Sequence, residues 1–403
     1  MTQAVSVRTI SSAESRLIGA VCAAHMMSHY YMLLLAPLFA FVRADFKVGY
    51  TELALALTVF NVVSGLLLTP IGFLVDRIGA RRVLIAGLAI SIIAYAVAAI
   101  VDSYWVFVVM YGVAGLGNTV FHPSDYSLLS HHSPKNRLGQ VFAFHSFAGM
   151  VGSGIAPVTL LYMQSMWGWR GAYLGASAFG LIVLLVLIVQ PEPKAELSHA
   201  RGAKGRTSMA AAWHVLLTPP ILLNLGYFVL TSIMGSGLNT YLVVALGALH
   251  STPVDIANMA LTSLLAMNAV GVLIGGMLAA RTTHHAVVAA TGLGVGGAVT
   301  ALIGLFDFHS AALVVLMGFS GLCVGTTYPS RDMLVRAVTP PDAYGLVFGF
   351  VSVGLNIGAS VAPIVYGALM DGGRPRAVFL LSAAVSILCI STVTFGFSGR
   401  KTV

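Results

Sequence analysis

The residues that could do chemistry in this sequence sit inside long apolar runs. Ionisable groups are costly there and mark a ligand path or a proton relay. His25 and His29 lie four apart, on one helical face. His122 and Asp125 lie three apart and share a face; His145 stands alone in the next run, and Arg331 and Asp332 are neighbours far downstream. Imidazole titrates at about pH 6.5, which suits proton coupling. A guanidinium suits an anionic group, and a carboxylate can carry a proton. His25, Met26, Met27, His29 and Met32 also make a soft-metal set. Met26 and Met27 are adjacent and cannot face one site, so no metal centre is expected. A plain helix-to-helix hydrogen bond, of about 1 kcal/mol, is the simplest role for any one of these histidines. Tyr126, Tyr328, Asn118, Asn239, Asn268 and Asn356 would complete a polar cavity.

The elements that hold these groups follow from composition. Of 403 residues, 58% are hydrophobic and 8% charged, and mean hydropathy is +0.92. A soluble domain carries about 25% charged residues, so soluble enzymes, nucleic-acid binders and disordered chains are excluded. A membrane-crossing helix needs roughly 20 apolar residues. Spans are expected near 16–41, 51–75, 82–101, 104–130, 138–164 and 171–190, then near 219–246, 253–280, 286–306, 310–336, 343–370 and 376–397. Stretches such as GLIVLLVLIV (180–189) are apolar on every side, which excludes the alternation of a β-barrel. The expected organisation is a half over 1–190, a basic linker over 191–213 and a second half over 214–403. Fifteen of the 21 Lys and Arg fall on the side of the termini and linker, so the positive-inside rule puts both ends in the cytoplasm. Cys22, Cys323 and Cys389 are scattered in apolar runs without a CxxC pair, giving neither disulfide framework nor zinc site.

A repeat relates the halves. GVAGLGNTVFHPS (112–124) matches GFSGLCVGTTYPS (318–330) at an offset of 206, and the same offset lays GQVFAF (139–144) on GLVFGF (345–350) and GSGIAP (152–157) on GASVAP (358–363). Parallel halves holding substrate between them are a transporter architecture. The offset sets Asp125 against Arg331, so the two charges are expected to face each other across the cavity, with Asp332 pointing elsewhere. Pro123 and Pro329, and likewise Pro157 and Pro363, occupy matched places and mark helix bends.

GFLVDRIGARR (72–82), between the second and third spans, resembles the loop signature of the major facilitator superfamily. The resemblance implies an all-helical fold of twelve membrane helices in two pseudo-symmetric halves, alternating access by rocking, and a cytoplasmic gating loop of Gly72, Asp76, Arg77, Gly79, Arg81 and Arg82. In it Gly72 would allow close helix approach. VFHPSDYSLLS and NRLGQVFAFHSFAGMVGSGIAP further resemble the fosmidomycin-resistance branch, whose members are drug exporters. Two positions depart: His29 stands where that branch has an acid, and Ser124 follows the FHP triplet, with the acid one place later at Asp125.

No P-loop, HExxH or nucleophile elbow is present, so neither ATP-driven transport nor catalysis is expected. The sequence reads as a proton-coupled secondary transporter of a small, anionic organic molecule. It is expected to sit in a bacterial-type inner membrane as a monomer, with the bilayer and its substrate as partners and no cofactor but protons. Asp125, with His25, His29 and His122, is the expected proton site, and Arg331 the anion receptor. The alternatives are a lipophilic-drug antiporter, or a copper or nickel transporter using the His/Met face of the first span.

Overall fold

The computed structural model describes residues 11–134, 137–190, 214–340 and 343–397; the expected linker over 191–213 lies outside them. The described residues form helices and no strand. In the N-terminal half these are α1 (Ser12–Met32), α2 (Phe39–Phe46), α3 (Tyr50–Ile78), α4 (Ala80–Ile100), α5 (Tyr104–Thr119), α6 (Phe121–His132) and α7 (Leu138–Val189). In the C-terminal half they are α8 (Pro219–His250), α9 (Val254–Ala279), α10 (His285–Leu305), α11 (Ser310–Gly325), α12 (Thr327–Val338), α13 (Tyr344–Asp371) and α14 (Pro375–Phe397). Lys47 in the left-handed region ends α2, and Gly79, at φ 97°, turns the chain from α3 into α4.

Among the described residues, eleven stretches are long and apolar enough to cross a membrane. One of them does so twice. At about 1.5 Å per residue, the 52 residues of α7 would run on the order of 80 Å, against a hydrocarbon core of about 30 Å. Gly168 breaks the run with φ 69° and ψ 174°, a conformation that L side chains avoid. The count of crossings is therefore the expected twelve.

The repeat is visible in the breaks. α5 gives way to α6 at Val120, and α11 to α12 at Thr326, 206 residues later. A proline ring collides with the carbonyl four residues back, and Pro123 and Pro329 each stand three residues past the break. The offset also relates the two seams between the halves, α3 against α13 and α9 against α7.

Those seams differ. Along α3 and α13 the halves are laced together by hydrogen bonds. Asp371 accepts from the backbone N–H groups of Tyr50 (2.6 Å) and Thr51 (2.8 Å), capping the start of α3 from the opposite half. Thr58 Oγ1 donates to the Ser360 carbonyl (2.9 Å) and Asn61 Nδ2 to that of Ala359 (3.2 Å). Ala359 lies four residues before Pro363, so its carbonyl lacks its helical donor, and Asn61 supplies one. The Tyr241 hydroxyl lies 3.4 Å from the Tyr50 carbonyl across the seam. At the α7–α9 seam there is instead a cleft of about 380 Å³, lined by Val158, Tyr162, Ser165, Asp255 and Asn258 among others.

Within the N-terminal half, α1 packs directly on α7. A Cβ on Gly152 would land on the Met26 carbonyl oxygen, whereas one on Gly154 would meet nothing within 4 Å. Gly152→Ala is therefore expected to force the helices apart and cost about 1–3 kcal/mol. Gly154→Ala should be neutral or slightly stabilising. Melting temperatures of the two variants in one detergent check the contrast; equal losses would contradict the packing argument.

Candidate functional site

Three helices of the N-terminal half converge on one carboxylate. α1 brings His25, α6 brings Asp125 and α7 brings His145, with 3%, 0% and 1% exposure. His145 Nε2 hydrogen-bonds Asp125 Oδ2 at 3.0 Å, and His25 Nδ1 approaches the same oxygen at 3.2 Å. The two rings stack with centroids 3.7 Å apart. Asp125 Oδ1 has no hydrogen-bond partner among the described residues. Burying an unpaired charge is strongly unfavourable, so this carboxylate depends on protons that its histidine neighbours hold or donate.

Two more histidines extend the cluster. His122, one turn before Asp125 on α6, has its ring 5.3 Å from that of His25 and 5.9 Å from that of Tyr126. His29, one turn beyond His25, meets it edge-on at 4.7 Å, and Ser153 Oγ lies 3.4 Å from its Nδ1. His29 also lines the central cavity, of about 340 Å³, between the halves. Asn61 and Ser153 share that wall, and Asn239, Asn268 and Tyr328 face them from the C-terminal half. A ladder of titratable rings thus runs from the cavity to the buried acid.

His25, Asp125 and His145 offer three ligand atoms within 4.8 Å of one another, a set that a divalent transition ion could use. The imidazole planes lie only 24° apart in a stack. Both ring nitrogens converge on Asp125 Oδ2, at 3.0 and 3.2 Å, an arrangement suited to sharing a proton.

Arg331 corrects two expectations. It forms no ion pair with Asp125 among the described residues; each charge has partners in its own half. Its Nη2 and Nε bond Asp332 Oδ1 at 2.9 and 3.0 Å, although adjacent helical positions diverge. The physical reason is an aromatic cradle. The guanidinium lies 4.3 Å over the Phe228 ring and 5.1 Å from that of Tyr328, and this cation–π contact holds it near α12. The Asp332 side chain, 49% exposed, can swing to meet it.

The loop after α3 reads differently from its expected role as well. A Cβ on Gly72 would meet nothing within 4 Å, so close helix approach is not what the glycine provides here. Arg77 and Arg82 are exposed, and the Asp76 side chain lies outside the described set. Arg81 Nη2 donates to the carbonyls of Leu187, Ile188 and Gln190 at 2.9, 3.1 and 2.7 Å. A cation on the last carbonyls of a helix satisfies acceptors that have no intrahelical donor, so Arg81 docks the start of α4 on the end of α7. Sequence reasoning missed Phe228 beneath Arg331 and Asp371 across the seam. The first carries no polar signal, and the second bonds backbone groups that any residue would supply.

The Major Facilitator Superfamily profile matches residues 21–254 and 230–401, nearly the whole chain. The chain belongs to the Major Facilitator Superfamily. Among relatives, it is 21% identical to the fosmidomycin resistance protein of Escherichia coli (strain K12) over 394 residues, 94% of this chain and 92% of that protein. A probable L-galactonate transporter of the same organism is 24% identical over 144 residues, but that match spans only 36% of this chain and 32% of the relative. In fold the chain is similar to a bacterial homolog of the human lysosomal transporter Spinster in an inward-facing, unoccupied conformation. The TM-score is 0.80 at 14% identity, covering 96% of this chain and 97% of that one. As a Major Facilitator Superfamily member the protein is a multi-pass membrane transporter rather than an enzyme.

Proposed function

We propose that this transporter couples the movement of a small organic anion to protons, with Asp125 as the proton carrier. The observation that carries the reading is the buried carboxylate of Asp125, touched by two histidines from two other helices and linked through His29 to the central cavity. A proton entering from the cavity is passed by His29 and His25 to Asp125, and His145 holds the acceptor oxygen in place. The positive-inside distribution supports both termini in the cytoplasm of a bacterial-type cell, the inner membrane as the site of action, and a cavity sealed on the outer side by the Asp371 seam. Likeness to the fosmidomycin resistance protein supports export. No cofactor or second subunit is needed by this scheme.

The anion enters the reading through Arg331. Its only charged partner among the described residues is the half-exposed carboxylate of Asp332, on a side chain that can swing into water, and it borders Tyr328 on the cavity wall. A substrate anion exchanges for Asp332 on the guanidinium, one carboxylate replacing another at little cost in desolvation.

The test is thermal stability of the purified protein against carboxylates, phosphonates, cationic drugs and Cu(I), at pH 6 and pH 8. A ligand at 100 times its Kd adds about 2.7 kcal/mol to the native state. Anions should stabilise the wild type and lose at least about tenfold in affinity in Arg331→Ala, the loss of one charge-assisted bond. Stabilisation by Cu(I) or cationic drugs with anions silent would replace this reading with a metal or drug transporter.

A further inference from the structure

A second cavity, of about 80 Å³, lies within the C-terminal half and opens off the central one, sharing Asn239, Asn268 and Tyr328 with its wall. Its polar character is confined to that mouth. Deeper in, the Thr300 and Ser320 hydroxyls lie 3.0 Å apart, each within hydrogen-bond reach of the Gly296 carbonyl, so their two protons are shared between that carbonyl and each other; Ser386 donates to the Ser382 carbonyl. With these hydroxyls satisfied, the surface they leave behind is methyl, methylene and thioether. Asn268 spends its Nδ2 on the Gly321 carbonyl at 3.3 Å, which leaves its own carbonyl at the mouth.

Arg331 stands just beyond that mouth, its guanidinium 5.1 Å from the ring of Tyr328. A cation beside Tyr328 and a small annex lined by the same residue make a two-part receptor. We infer that the substrate is a short-chain aliphatic acid, its anionic group on Arg331 and its alkyl tail in the annex. Size decides the tail. A dry cavity that holds benzene measures about 150 Å³, roughly twice this one, so the annex takes a short alkyl chain and not an aromatic ring. This inference rests on the anion reading above and adds the tail to it.

Gly235 gives a clean way to close the annex. It lines the annex from α8, and a Cβ there would meet nothing within 4 Å. Gly235→Leu therefore starts its side chain in open space on the annex wall, and leucine favours the helix more than glycine does. The experiment measures melting temperature in lipid nanodiscs against acetate, butyrate, hexanoate, octanoate and hexanamide, for wild type and Gly235→Leu. Partition of longer chains into lipid acts on both proteins alike, so the difference between them is the readout.

For the wild type, affinity is expected to rise about fourfold per methylene through hexanoate, the value of burying one such group. It should level off at octanoate, when the annex is full. Gly235→Leu should show no gain in affinity with chain length. If acetate and hexanoate bind alike, or if the variant keeps the wild-type gain, the tail assignment is wrong while the anion reading stands. If hexanamide serves as well as hexanoate, the annex is right and the anion reading falls. Silence from the whole series overturns both.

Discussion

Asp125→Asn is expected to abolish accumulation driven by a pH gradient while leaving exchange of substrate for substrate intact. Asparagine nearly matches aspartate in shape. With its carbonyl in the place of Oδ2, it can still accept from His145. The variant should therefore fold, bind and rock between its states. What it cannot do is carry a proton. A carrier moving one proton per substrate sustains about a tenfold concentration ratio for each pH unit imposed, because one unit is worth about 1.4 kcal/mol. The ratio should fall to one in Asp125→Asn. Proteoliposomes loaded at one pH and diluted into another measure it, using the anion that most stabilises the purified protein. Wild-type accumulation by the variant would remove Asp125 from the proton path.

Asp371→Ala should loosen the α3–α13 seam at its Tyr50 end. Two backbone N–H groups at the start of α3 lose a charged acceptor from the opposite half, with bonds of 2.6 and 2.8 Å. Hydrogen bonds to charged groups contribute about 1.5–3 kcal/mol each, and a helix N-terminus adds to the attraction. Asp371 is exposed, and water screens both terms. A net loss of about 1–3 kcal/mol remains, which shifts the balance between closed and parted seams by about 5- to 150-fold. Asp371→Asn keeps an acceptor without the charge and should fall between. The check is alkylation of Ser236→Cys, on the cavity wall, by a membrane-impermeant reagent applied from the Tyr50 side, in a background free of Cys22, Cys323 and Cys389. An unchanged alkylation rate in Asp371→Ala would mean the seam is held by packing alone.

Much of the fold was legible because membrane helices announce themselves. Apolar runs located the crossings, and the 206-residue offset foretold the matched breaks at Val120 and Thr326. The prolines that mark those breaks act through local backbone sterics, which sequence carries directly. The site was legible only in part, for geometric reasons. Helical spacing gives the face on which His25, His29, His122 and Asp125 lie; it does not say which neighbouring helix supplies the partner. His145 and Asp125 are 20 residues apart across a turn, and only the packing of α6 on α7 brings them together. Arg331 shows the opposite failure. Adjacent positions on a helix diverge, yet a long side chain resting on Phe228 folds back to Asp332. The latch at Asp371 was invisible because its partners are backbone N–H groups, not side chains with a signature.

The two seams between the halves descend from one duplicated pairing, and they are no longer alike. The residue 206 positions before Asp371 is Ser165, which has no carboxylate to offer and lines the cleft between α7 and α9. One seam is therefore latched and the other gaps. A pair of rigid bodies fastened along a single edge does not separate by sliding straight apart; it swings, as a door does on its jamb. The loose edge parts first and the latched edge serves as the pivot, so the path by which the halves separate is tilted toward the α7–α9 side and the surrounding lipid.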